Sequence, residues 1–262
     1  MIKKFFTPRK LNIIFSLLAV IFMWLIWLAA YYIAGNELVV PAFSDTAQSF
    51  FIYLGDGTFW LALLNTLLRT LLAFVISFVL AAVCSIFAKL SGYAKAFINP
   101  IVVFIRTLPT LAVILIILKL TSGNRSFSPV IVTVLVLFPM IFSQMLAAAD
   151  GIDTGLSEMA KVYKVSKKDR LFKIYLPIMA PNIISQTGAN ISLGLKIMIS
   201  AEVLANTVKG LGGMMQFNNI SAEVANLAAL TLAAVVIGLI IEFLISFASR
   251  FACKWTAKEG GK

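Results

Sequence analysis

The chain has 262 residues, of which 61% are hydrophobic and 13% charged, with a mean hydropathy of +0.98. A soluble core cannot hide that much apolar surface, so the composition points to an all-α, polytopic membrane protein built as a single domain over residues 1–262. There is no histidine, which excludes histidine-based metal sites and general-base triads, and the formal charge of +11 is spread in a way that argues for membrane topology rather than nucleic acid.

Taken in order, the chain opens MIKKFFTPRK and then runs apolar over residues 11–34. That run is long enough to span a bilayer and longer than the apolar core of a signal peptide. Trp24, Trp27, Tyr31 and Tyr32 weight its far half with interfacial aromatics. Residues 35–58 are turn-rich and free of Lys and Arg; they predict an outer loop with a short helix begun by Ser44 or Asp45. Further spans are predicted at about 60–88, 96–118, 128–149, 178–204 and 222–251. A basic turn at 89–95, an outer turn at 120–127 and a glycine-rich outer loop at 208–219 connect them. Cys84 and Cys253 make no disulfide framework and read as reduced.

Charge supports six spans. This count places 16 cations on one side, among them Lys3, Lys4, Lys89, Lys95, Arg250 and Lys254, and three on the other: Lys119, Arg125 and Lys209. The positive-inside rule then puts both termini in the cytoplasm.

Between the fourth and fifth spans lies a basic segment, residues 154–176, with six cations (Lys161, Lys164, Lys167, Lys168, Arg170, Lys173). Leu156, Met159, Ala160 and Tyr163 recur at helical spacing, as do Leu171, Phe172 and Tyr175. Ser166 three residues before Asp169 predicts a capping-box start for a second short helix, and Pro177 marks the return to lipid. On composition alone, such a pair of amphipathic helices better suits a basic cytoplasmic loop lying on anionic headgroups.

The spacing of this segment resembles the EAA signature of permease subunits of binding-protein-dependent ABC importers: Glu158-x-Ala160, then Ile174-x-Leu176-Pro177. Met159 replaces the first alanine of the signature, and Lys164 stands where it has a glycine. Other stretches are similar to the branch serving taurine, alkanesulfonates, nitrate and pyrimidine vitamin precursors. These are Val40-Pro41, Thr66-Leu67-Leu68-Arg69, Ile105-Arg106-Thr107-Leu108-Pro109, Phe138-Pro139, and Ala201-Glu202 with Gly210-Leu211-Gly212.

The resemblance implies that the segment is a coupling-helix hairpin docking into a cytoplasmic ATPase through Glu158, Met159, Ala160, Tyr163, Lys164, Leu171, Leu176 and Pro177. It implies two copies of that ATPase, carrying ATP and Mg, a second permease copy completing a homodimer, and an extracytoplasmic substrate-binding protein or lipoprotein. The chain itself has no GxxxxGK[ST] loop, so no cofactor and no catalysis are expected on it. The solute expected is small and polar or anionic.

Ionisable residues inside spans are costly in lipid and are weighed individually. Arg106 reads either as a pathway cation or as a donor to the Ile105 carbonyl that Pro109 leaves without its helical partner. Arg69 and Lys196 can line the pathway or snorkel to an interface. Glu202 can face the pathway or pair with either of them, and Glu242 suits an interhelical hydrogen bond. Gly210, Gly212 and Gly213 predict a tight outer loop or gate, with a plain connector as the alternative.

Two other function classes fit less well. An ion-coupled secondary transporter would want inverted repeats and midplane acids, and the deep charges here are mainly cationic. An intramembrane enzyme would need a convergent nucleophile and base, and no predicted span carries Asp or His.

Overall fold

The computed structural model describes residues 8–252 other than 122, 123 and 125. Lys3, Lys4, Arg125, Cys253 and Lys254 lie outside the described residues. No strand occurs among those described: the protein is all-helical. It divides into two compact units, one formed by residues 1–56 and 217–233, the other by residues 57–216 and 234–262.

In the first unit, helix α1 (Pro8–Ala34) has the length and hydropathy of a membrane span. Its exposed Leu, Ile and Phe side chains have no partners to cover them in a single chain, as lipid-facing residues do not need. Helix α2 (Phe43–Gly55) folds back against it. Trp27 donates to the Pro41 carbonyl at 3.1 Å, and Phe43 meets Trp24 and Trp27 edge to face.

The second unit carries the bundle. Helices α3 (Gly57–Leu90), α6 (Ser128–Asp150) and α9 (Leu176–Ala205) pack around Phe74, Leu137, Ile141, Phe142 and Met145. Without a hydrophobic drive between helices in lipid, close approach depends on small residues. A Cβ on Gly194 would sit 2.9 Å from Leu137 Cδ1, so α9 approaches α6 closely at this glycine and a larger residue there would require Leu137 to shift. Hydroxyls inside these spans bond back to their own helix, as Thr70 does to Thr66 and Ser77 to Ala73.

The predicted third span is not one straight helix. It is two helices, α4 (Gly92–Thr107) and α5 (Thr110–Leu120), bent by 96°. Pro109 has no N–H to donate and forces the residue before it out of the helical region; Leu108 is extended at φ −67°, ψ 133°. At 1.5 Å per residue the two pieces reach roughly 24 and 16 Å, so neither crosses a ~30 Å hydrocarbon core alone.

The loop predicted at 208–219 is also corrected. Residues Leu211–Ile220 form helix α10, despite two glycines in its first turn. Helix α11 (Val224–Ala252) follows. Glu242 on α11 is exposed and makes no hydrogen bond to the described residues, unlike the interhelical role expected of it.

Pro177 does not interrupt the chain either. Helices α7 (Thr154–Val162) and α8 (Lys167–Asp169) form the hairpin, and α8 runs on through a π turn, Arg170–Tyr175, into α9. The Leu176 amide reaches back five residues to the Leu171 carbonyl. That wider register sits just where an α-helical one would press the proline ring on the carbonyl four residues earlier.

Candidate functional site

The hairpin is built by local rules. The Val165 amide donates to the Ala160 carbonyl at 2.9 Å, the six-to-one bond that closes a helix C-terminus when the next residue turns left-handed. Lys164 supplies that turn at φ +53°. The position at which the resemblance expects glycine therefore does have the backbone that favours glycine, and a lysine holds it. Ser166 then starts α8: its Oγ accepts from the Asp169 amide at 3.1 Å and donates to Asp169 Oδ2 at 2.7 Å. Lys173, one turn on, pairs with Asp169 at 2.7 Å. The hydrogen bond from Lys173, seconded by Ser166, holds the Asp169 carboxyl below its ordinary range.

The apolar residues of the hairpin split between two directions rather than sharing one face. Ala160 and Tyr175 are buried within the chain, whereas Met159, Val162, Tyr163, Phe172 and Leu176 are exposed. Adjacent positions on a helix are about 100° apart, so Met159 and Ala160 cannot both point inward. Glu158 and Lys164 are exposed; Leu171 and Pro177 are half-buried. The base of the hairpin is pinned by charge. Asp150 at the end of α6 takes Lys95 at 2.7 Å and Lys89 at 3.3 Å, and Lys89 also lies 5.8 Å above the Tyr175 ring.

At the far end of α9, Glu202 has no exposed surface. Its Oε1 accepts from Arg69 Nη1 at 2.7 Å, and its Oε2 from Thr66 Oγ1 at 2.8 Å and the Gly212 amide at 3.1 Å. Thr66 Oγ1 in turn accepts from the Leu211 amide at 2.8 Å. Glu202 and Thr66 thus satisfy the first N–H groups of α10, a favourable place for a carboxylate. The three glycines make this possible. A Cβ on Gly210 would lie 2.6 Å from the Glu202 carboxylate and on Gly212 2.5 Å from the Ile199 carbonyl oxygen, and one on Gly213 would collide with the Thr207 carbonyl.

Arg106, Pro109 and Lys196 stand apart from that network. Lys196 is exposed on α9. Arg106 lines a cavity of about 520 Å³ bounded by α4, α5 and α6. It does not serve the Ile105 carbonyl, which accepts from the Leu108 amide at 3.3 Å. Gln144, on the cavity wall, exchanges two hydrogen bonds with buried Asn190 of α9, at 3.1 and 2.7 Å. Sequence reasoning passed over Gln144 and Asn190. The signal was there in Asn182, Gln186 and Asn190, three carboxamides spaced four residues apart along one face of a predicted span.

Comparison with known proteins agrees with this architecture. The chain is 26% identical over 122 residues to the glycine betaine/proline betaine transport system permease protein ProW of Escherichia coli K12, and 25% identical to that of Salmonella typhimurium LT2. Each match covers 47% of this chain and 34% of the relative, so it spans about a third of those longer proteins. Among solved structures, a bacterial ABC transporter involved in import of the acidic polysaccharide alginate superimposes with a TM-score of 0.65 at 18% identity, covering 92% of this chain and 96% of that one. The MetNI methionine ABC transporter in an inward-facing form gives 0.64 at 16%, covering 71% and 92%. Residues 77–252, two thirds of the sequence, match the family described as the binding-protein-dependent transport system inner membrane component, and the chain belongs to that family as a multi-pass inner-membrane protein.

Proposed function

We propose that this chain forms the translocation pathway for a small polar or anionic solute, driven by a separate ATPase that docks on the hairpin Thr154–Tyr175. The observation carrying this reading is the exposed apolar surface of Met159, Val162 and Tyr163, set among cations on a hairpin closed by its own turn and cap. Such a surface is complementary to an apolar groove with an acidic rim. The continuous helix from Lys167 into α9 gives it a stiff link to the bundle. Closure of the ATPase would then move α6 and α9 as levers, a rigid-body route to alternating access.

Two permease copies around a shared pathway, two ATPase subunits holding ATP and Mg, both termini on the cytoplasmic side and an external binding protein complete the proposed assembly. The solved alginate transporter in complex with its pentasaccharide-bound periplasmic protein is consistent with such a partner. The sequence similarity to the taurine, alkanesulfonate, nitrate and pyrimidine-precursor branch supports a solute of that class.

The test is a pull-down of the tagged chain from mild detergent with partners identified by mass. An ATP-binding subunit in about equal amount, lost in Glu158→Lys, supports the reading. The chain alone, with solute transport persisting in proteoliposomes without ATP, overturns it in favour of an ion-coupled carrier.

A further inference from the structure

We infer that the cavity at the broken span selects organic anions, and that Arg106 is the residue that sets this charge preference; the inference rests on the chain being a solute pathway. The cavity holds about 520 Å³, enough for a small organic molecule, and its wall is mainly apolar, with Val113, Val136 and Met140 among its residues. Its polar groups are few: Arg106, Thr110, Ser143 and Gln144. No carboxylate lines it among the described residues. Arg106 makes no side-chain hydrogen bond or ion pair with the described residues, whereas Arg69, which lies beside the buried Glu202, is paired at 2.7 Å. A cation left unpaired at membrane depth is expensive unless the space it faces holds water or a counter-charge.

The break in the span adds to this field. Helix α5 begins at Thr110, on the cavity wall, and no side chain caps it. Interrupted membrane helices present the positive end of a half-helix to anionic solute groups in the same way. The Ile105 carbonyl, which Pro109 deprives of its helical partner, accepts from the Leu108 amide rather than from the guanidinium. The solute that fits is an organic anion with an oxyanion head at Arg106 and a compact apolar body along Val136 and Met140. A zwitterion carrying a quaternary ammonium would find no counter-charge there.

The field can be read without knowing the solute. Ser143→Cys, in a Cys84→Ala, Cys253→Ala background and in lipid nanodiscs, is labelled with anionic sulfonatoethyl methanethiosulfonate or with its cationic trimethylammonium-ethyl analogue. The ratio of the two rates, normalised to a free thiol, cancels any change in thiol ionisation. A deep positive site predicts about a tenfold preference for the anionic reagent, since charges in a medium of low dielectric act strongly over several ångströms. The preference should vanish in Arg106→Gln, persist in Arg106→Lys and be untouched by Lys196→Gln. Thr110→Cys on the opposite wall reads the same field independently. Equal rates for both reagents, a ratio indifferent to Arg106, or thiols at both positions that react with neither reagent would overturn the inference. Because the measurement needs no ATPase, such a failure alongside intact ATPase co-purification would leave the importer reading standing.

Discussion

Arg69 on α3 and Glu202 on α9 meet at 2.7 Å with the carboxylate wholly enclosed, and the same carboxylate caps the first turn of α10. One buried acid therefore ties two spans and a short helix together. Removing the partner of a buried charge is costlier than removing both. Arg69→Ala is expected to destabilise the full-length chain by about 3–5 kcal/mol. The double change with Glu202→Ala should cost clearly less than the sum of the two single changes, read from denaturant unfolding in micelles. Strict additivity would mean the pair contributes nothing.

Lys164 gives a prediction of opposite sign. A non-glycine residue held left-handed costs about 1–2 kcal/mol, and glycine gives part of that back through its freer unfolded chain. Lys164→Gly should therefore slow hydrogen exchange of the Val165 amide several-fold, while Lys164→Ile should speed it. If glycine weakens protection, the left-handed turn is not the strained element.

The spans were legible in the sequence because lipid demands about twenty apolar residues in a row and leaves little choice of structure. The predicted 60–88 and 128–149 differ from α3 and α6 by at most three residues at either end. The capping role of Ser166 was legible for the same reason: it is settled within four residues. What failed was decided at a distance. Two glycines argue against a helix at 211–220, and what holds α10 is a carboxylate nine residues upstream of Leu211. Pro109 marks the place of the break, since it removes an N–H from the helix, but how far the chain turns there depends on neighbours the sequence does not order. The burial of Ala160 beside exposed Met159 depends on how the hairpin sits on its own base.

The glycine contacts rank three substitutions. Gly212→Ala and Gly213→Ala push a methyl into backbone carbonyls of Ile199 and Thr207, which have nowhere to go, whereas a Cβ on Gly92 meets open space. The first two should each cost more than about 2 kcal/mol and free α10 from Glu202. Gly92→Ala should be neutral or slightly stabilising, since it removes chain freedom at a helical position. Proteolysis of detergent-solubilised protein within residues 206–216 is the readout. Equal sensitivity of all three variants would discount the close approach.

Gln144 and Asn190 exchange both of their amide bonds across α6 and α9, with Asn190 almost fully buried. Gln144→Leu leaves Asn190 with a donor and an acceptor unmet, and Asn190→Leu does the converse. Interhelical hydrogen bonds in membranes are modest, so each single change should cost about 1–2 kcal/mol. The double change to leucine leaves neither group orphaned and should recover most of that loss. Its effect on the pathway should differ: Gln144 also lines the Arg106 cavity, so both variants carrying leucine at 144 remove a polar contact there, whereas Asn190→Leu leaves the cavity wall intact. Unfolding stability that tracks the pair, with thiol labelling at position 143 that tracks only residue 144, would separate the structural role from the lining role. Labelling that follows Asn190 as closely as Gln144 would show the amide pair acting as one unit.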